Sequence, residues 1–243
     1  MALAALLLAT APAVGIELAT PLDDSPGHER GAREMTEGIA APAETPPWPA
    51  GPYSTGTWGG LRSRLERAGV VMEGSYVFDW ATVLTGGIRQ RDTTRGLIDL
   101  NITLDLEALA GLGDGTLFFD VYAQHGRNVS DDAGDLQGIS NIDADDVTEI
   151  AELWYEQWLA NDRLRLKVGK VDANSEFAFV DAAGEFINSS AGVSPTLFVL
   201  PTYPDPAWSL NLFAYPSRGI YAGVALYDGA SAADEATGNH TPI

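Results

Sequence analysis

Four residues recur at every second position between 152 and 158: Glu152, Trp154, Glu156 and Trp158. After a break at Asn161-Asp162 the same spacing returns in Arg163, Arg165 and Lys167. Alternate residues of a β-strand share a face, so two neighbouring strands would bring these seven side chains together. Carboxylates, guanidinium groups and an ammonium exchange hydrogen bonds with hydroxyls, and indole faces stack on apolar ring faces. That combination suits weak, reversible contact with a polyhydroxylated solute. The plainer role is a set of cross-strand pairs that hold a hairpin, worth about 0.2–1 kcal/mol each. Glycoside cleavage by Glu152 and Glu156 is a poor fit. Residues i and i+4 on one strand lie about 13 Å apart, too far for either carboxylate geometry. No catalytic residue and no enzyme activity is expected.

The surrounding sequence supplies strands to carry such a face. "IDLNITLDLE" puts Ile98, Leu100, Ile102, Leu104 and Leu106 on one parity and Asp99, Asn101, Thr103, Asp105 and Glu107 on the other. "TLFFDVYAQH" sets Leu117, Phe119 and Val121 against Asp120, Tyr122 and Gln124. "VVMEGSYVFDWATVL" sets Met72, Tyr76, Phe78 and Trp80 against Glu73, Ser75 and Asp79. Two weaker strands, "WSLNLFAY" and "GIYAGVALY", bring the expected number to seven. The polar members on the shared parity extend the candidate face by Asp99, Asn101, Asp105, Asp120, Tyr122 and Gln124.

Two architectures fit. In a soluble sandwich the acids face water and the leucines face a core. In an outer-membrane barrel the leucines face lipid and the acids line a channel. The connections separate them. In order they cover 85–95, 108–115, 126–148, 160–162, 172–207 and 216–218. Long and short alternate, so all the short ones fall at one end, as in barrels with short periplasmic turns and long outer loops. The hairpin around Asn161-Asp162 agrees. Pairing Leu159 with Leu164 and Tyr155 with Val168 leaves Trp158 facing Arg165 and Glu156 facing Lys167. A slip by one residue would put arginine into hydrocarbon at about 2–4 kcal/mol each near the midplane.

Composition bounds the function. The 243 residues carry a formal charge of −20, which excludes nucleic acid as a partner because nothing would neutralise phosphates. There is no Cys, and His28, His125 and His240 are far apart, so no metal site or cofactor is expected. The aspartates of 126–148 (Asp131, Asp132, Asp135, Asp143, Asp145 and Asp146) read as a solvated acidic outer loop, with hard-cation binding at Asp143, Asp145 and Asp146 as the less favoured reading. The 172–207 connection is too long to be idle. It reads either as an outer loop or as a constriction folded into a channel, with Asp172, Asn174, Glu176, Asp181 and Asn188 as contacts.

Residues 1–16 are an apolar run with an Ala11-Pro12-Ala13 cleavage pattern and no basic start, which suggests an export signal; a buried helix is the alternative. Residues 17–56 form a Pro/Ala-rich linker. Residues 57–69 suit a short amphipathic helix with Thr57 as N-cap and Gly69 just past its end. Residues 70–243 carry the strands.

In this order, "WGGLRSRLERAGV", "GSYVFDW", "LDLEALAG", "HGRNVSDDAGDLQGISNI", "ELWYEQ", "RLKVGKVDANSEF" and "NSSAG" resemble the OprB-type carbohydrate-selective porin family over about residues 57–228. The resemblance implies an antiparallel up-and-down transmembrane β-barrel of about sixteen strands in the bacterial outer membrane. Such a barrel passes small sugars by diffusion, with sugars and the lipid bilayer as its partners. Against that pattern the seven strands and the missing C-terminal aromatic residue suggest a partial barrel, the N-terminal part of a longer chain. The competing function is a soluble periplasmic or extracellular β-sandwich that binds carbohydrate.

Overall fold

The computed structural model describes residues 2–3, 7–10, 54–136, 138–180, 186–188, 201–217 and 219–228. Seven antiparallel strands follow one another in the sheet in chain order: β1 (Val70–Thr82), β2 (Asp92–Asp105), β3 (Gly115–Gly126), β4 (Thr148–Leu159), β5 (Leu164–Val171), β6 (Ala207–Ser217) and β7 (Ile220–Tyr227). This up-and-down order is the wall of a barrel. Two short N-terminal segments, Ala2–Leu3 and Leu7–Thr10, run antiparallel along β7. A 3₁₀ turn at Trp58–Gly60 and helix α1 (Leu61–Arg67) precede β1.

The wall is built inside out relative to a soluble sheet. Leu100 on β2, Val168 on β5 and Leu210 on β6 stay 54%, 44% and 46% exposed. On the opposite face Arg165, Lys167 and Asn211 are 4%, 1% and 0% exposed. Among the described residues no second sheet covers the aliphatic rows. Polar residues are interior and aliphatic residues exterior, which is the arrangement lipid demands. The exterior of β1 adds an exposed aromatic row, Tyr76, Phe78 and Trp80, toward the long-loop end. Aromatic rows of this kind sit at membrane interfaces.

The register agrees with the sequence. Leu159 pairs with Leu164, Trp158 with Arg165, Glu156 with Lys167 and Tyr155 with Val168. The turn is longer than the two residues expected. Ala160, Asn161 and Asp162 all take positive φ, so Arg163 sits exposed in the turn and not on the strand face. A bulge at Asp120/Val121 shifts the β3–β4 register by one. Across β4, Gly169 takes φ 142, and a Cβ there would lie 2.1 Å from the Leu153 carbonyl oxygen. Glycine alone permits that approach.

Two helical expectations need correction. The 57–69 segment splits: Gly60, not Thr57, caps α1, and no side chain bonds at either cap. Arg62 lies off the Leu61–Leu65–Ala68 face, where an amphipathic helix would leave it in water, yet it is buried. It lies over the Trp58 ring at 4.4 Å and donates to the Met72 carbonyl at 3.3 Å. The strand expected to run through Glu107 stops at Asp105, and Leu106 and Glu107 instead begin helix α2 (Leu106–Ala110), which leads into the 108–115 connection.

Arginine on the exterior gives a direct test of the wall's orientation. Leu210→Arg should cost roughly 2–4 kcal/mol in urea titrations of folding into lipid vesicles if Leu210 sits near the midplane. A change below about 0.5 kcal/mol, ordinary for a water-exposed site, would contradict a lipid-facing row.

Candidate functional site

The interior face gathers most of the expected residues, and loops fold onto it. At its centre are Glu156 on β4, Arg165 and Lys167 on β5, and Glu176 from helix α4 (Ala173–Phe177), which lies in the β5–β6 loop. Glu176 bonds Arg165 directly and accepts from Lys167 Nζ at 2.7 Å. Glu156 Oε2 lies 3.4 Å from Lys167 Nζ and 3.6 Å from Arg165 Nη1. All four side chains are buried. Among the described residues two cations here meet two carboxylates, as buried charges require. The cations also rest on rings: Lys167 Nζ sits 3.8 Å from the Trp154 centroid and Arg165 Cζ 4.5 Å from that of Phe213. Trp154 in turn stacks on Phe118 at 4.8 Å.

The start of this loop is fixed by Asp172. Its carboxylate accepts from Asn174 N at 2.6 Å as the α4 N-cap, and from Thr202 Oγ1 and Tyr203 N on the returning chain at 2.9 and 3.0 Å. Burial pushes the Asp172 carboxyl above its ordinary range, against these hydrogen bonds. Asp172 N donates to Glu152 at 3.1 Å, tying the loop to β4. Val171, Ala173, Ala207, Ala225 and Tyr227 pack around Trp154 there, so the small apolar core lies on the interior face beneath the loop. Asn174 holds a buried amide oxygen with no hydrogen-bond partner among the described residues. Asn188 is exposed, and Asp181 lies outside the described residues.

The remaining expected residues divide. Asn101 pairs across the strands with Asp120, and Asp120 with Glu152, so with Asp99 they form an acidic band on the interior face. Tyr122 meets Tyr203 of the loop at 5.6 Å between rings. Trp158 meets Tyr215 at 5.3 Å. Asp105 has a different job: its carboxylate caps α2, accepting from Glu107 N and Ala108 N at 2.9 and 3.1 Å.

The 126–148 connection departs most from expectation. Only part of it is a solvated acidic loop. Val129, Ile142 and Ala144 are buried, and Asp132 is fully buried. Arg95, expected at the end of a loop, is instead on β2 and buried. It donates to the Ile142 carbonyl at 3.2 Å, Asp146 at 2.7 Å, the Asp145 carbonyl at 2.9 Å and Gln124 Oε1 at 2.9 Å. Ser140 Oγ donates to Asp79 on β1. Asp132 in helix α3 (Ser130–Ala133) accepts from Arg91 Nε at 2.9 Å and Thr93 Oγ1 at 3.1 Å, with Arg89 and Arg127 at 3.3 and 3.2 Å. No three-ligand metal cluster occurs among the described residues.

The Arg91 hydrogen bond, more than any other contact, holds the Asp132 carboxyl below its ordinary range. A carboxyl lowered in the folded state stabilises it above the unfolded pKa, about 3.9, and loses that contribution as pH falls through the folded value. Hydrogen-exchange protection of 129–134 should therefore persist from neutral pH to about pH 5 and collapse only below about pH 4. Collapse between about pH 7 and pH 5 would contradict the Asp132 clamp.

Sequence reasoning missed Arg95, Asn211, Phe213, Tyr215 and Tyr221. The parity signal was present: Thr93, Arg95, Leu97 and Asp99 alternate, but Gly96 broke the apolar half of the pattern. "SLNLF" likewise sets Ser209, Asn211 and Phe213 against Leu210 and Leu212.

An antiparallel wall with a polar interior, an aliphatic exterior and loops folded onto the polar side defines a β-barrel of the porin class. The profile of the carbohydrate-selective porin OprB family matches residues 89–240, and the chain belongs to that family, whose porins reside in the bacterial outer membrane. The high-pH structure of Pseudomonas putida OprB is similar with a TM-score of 0.65 at 21% identity, over 73% of this chain and 45% of that one. The low-pH structure of the same protein gives 0.50 at 17%, over 72% and 50%. The chain thus spans about half the length of these relatives. Comparison with curated proteins returns no match.

Proposed function

We propose that this chain forms part of an outer-membrane channel wall through which small sugars diffuse passively, with the Glu156–Arg165–Lys167–Glu176 quartet at the narrowed point. The observation that carries the reading is Glu176. It reaches from the β5–β6 loop to two cations on the interior face, which supports a constriction in place of a free outer loop. Because its members are buried and bonded to one another, the quartet fixes the loop at the narrowing and leaves contact with hydroxyls to the polar side chains around it. The acidic band of Asp99, Asn101, Asp120 and Glu152 and the aromatic Tyr122 and Trp158 complete the proposed lining, whereas Trp154, also expected there, is buried in the core beneath the loop. The lipid bilayer is the second partner, meeting Leu100, Val168 and Leu210. The apolar run 1–16 is read as an export signal, on the strength of its Ala11-Pro12-Ala13 pattern; its removal would free the β7 edge that Ala2–Leu3 and Leu7–Thr10 pair with in the uncleaved chain.

Spanning sheets tolerate no unpaired edge in hydrocarbon. Among the described residues β1 pairs only with β2, so its outer edge requires further strands to complete the barrel. Proteoliposomes test the function. Vesicles carrying the protein should swell in isosmotic glucose faster than empty ones. Impermeability to every small sugar tested would overturn the reading.

A further inference from the structure

On the turn side of the quartet the interior face changes from charge to aromatic rings. Trp158 lies 5.3 Å from Tyr215, Tyr215 lies 6.0 Å from Tyr221, and Phe213 lies 6.5 Å from Tyr215 and 6.4 Å from Tyr221. The four come from three strands, β4, β6 and β7, and share the interior parity. Phe213 anchors the group. It is 3% exposed and lies flat against Gly223, where a Cβ would come within 2.2 Å of its ring. Arg165 of the quartet covers it at 4.5 Å, and Phe177 of α4 packs beside it at 5.3 Å.

Trp158, Tyr215 and Tyr221 differ from Phe213 in being only half-buried. Rings that packed a core would be covered, and rings that met lipid would lie on the exterior face. Instead they leave aromatic surface open on the polar side, next to a charged cluster. A solute that fits has an apolar face and a polar rim. The pyranose ring is such a solute: its axial C–H bonds form flat apolar faces, and its hydroxyls project around the edge. An aromatic platform suits the first, and water on the open side of the rings suits the second.

We propose that Trp158, Tyr215 and Tyr221, seated on Phe213, form a pyranose-binding subsite on the turn side of the constriction. The proposal rests on the reading that sugars cross the interior face, and it specifies where a ring stacks after passing the quartet. Stacking discriminates by shape: a cyclic sugar presents a flat face and an open-chain polyol with the same hydroxyls does not. Contact with three half-buried rings is weak enough to release the solute, as a channel requires.

Saturation-transfer difference NMR on the full chain in detergent micelles tests the subsite, with D-glucose as probe and sorbitol as the acyclic control. The axial ring protons of the β anomer should receive the strongest saturation, and sorbitol little. Tyr215→Leu with Tyr221→Leu should lower the glucose signal to the sorbitol level, whereas Tyr215→Phe, which keeps the ring, should preserve it. Both substitutions retain apolar bulk at half-buried positions, and Tyr215→Phe reports that the fold survives. Absence of glucose saturation in the unaltered protein, equal saturation of sorbitol, or an unchanged signal in the double variant would each overturn the subsite. Swelling reads passage and saturation transfer reads contact. Passage with an unchanged double-variant signal therefore sinks the subsite alone, and impermeability with a glucose signal that the double variant abolishes sinks passage and leaves ring contact standing.

Discussion

Glu176→Ala should destabilise the folded protein by roughly 3–5 kcal/mol and release the β5–β6 loop from the channel wall. Among the described residues Arg165 and Lys167 would then share the single carboxylate of Glu156, a local excess of buried positive charge. The cost comes from that uncompensated charge more than from any attraction lost, because a buried pair in itself is nearly neutral. Removing a cation together with the carboxylate should therefore recover stability. Glu176→Ala combined with Lys167→Met is expected to be more stable than Glu176→Ala alone. Urea titration of the protein folded in vesicles measures both variants, and single-channel conductance should rise in each as the loop leaves the lumen. A Glu176→Ala protein with unchanged stability and unchanged conductance would show that the quartet neither holds the loop nor narrows the pore.

Arg95→Ala should have the next largest effect. Its guanidinium serves two loop carbonyls, Ile142 and Asp145, besides Asp146 and Gln124. Each buried acceptor left unsatisfied costs about 1–3 kcal/mol, and the carbonyls cannot all turn to water while Ile142 stays buried. The 126–148 loop is therefore expected to detach from β2 and become open to proteolysis while the sheet remains intact. Arg95→Lys should rescue only in part, because an ammonium can keep the Asp146 contact but lacks the planar fork that spans the other acceptors. Protease resistance of the loop in Arg95→Ala, with unchanged stability, would contradict the latch.

The strands were largely legible and the loops were not, for one physical reason. A strand that separates lipid from water must alternate at every residue, and the register follows once the two faces are known. Leu159–Leu164, Trp158–Arg165 and Glu156–Lys167 could thus be paired on paper and are paired in the structure. Tertiary partners of a loop leave no such period. Asp132 and Asp135 look alike in sequence, yet one is fully buried among arginines and the other is exposed. Arg62 shows the same limit on a helix: its spacing marks it as solvated, but the ring of Trp58 and the carbonyl of Met72 draw it inward. Asp105 lay on the polar parity with Asp99 and Asn101, and its position at the end of β2 turned it into a helix cap. Only the length of the 172–207 segment hinted at a constriction. Nothing in its composition singled out Glu176 as the residue that reaches the wall.

The barrel wall is defined by which of its faces meets lipid. The chain has no cysteine, so single-cysteine variants can each carry one nitroxide at a chosen position. With the protein in lipid vesicles, spin labels at positions 100, 210 and 212 should relax fastest with oxygen, which concentrates in hydrocarbon. Labels at positions 101 and 215 should relax fastest with a water-soluble nickel complex. Aliphatic-row labels shielded from oxygen, or open to nickel, would place a protein core or water where the structure requires lipid, and would contradict the barrel wall.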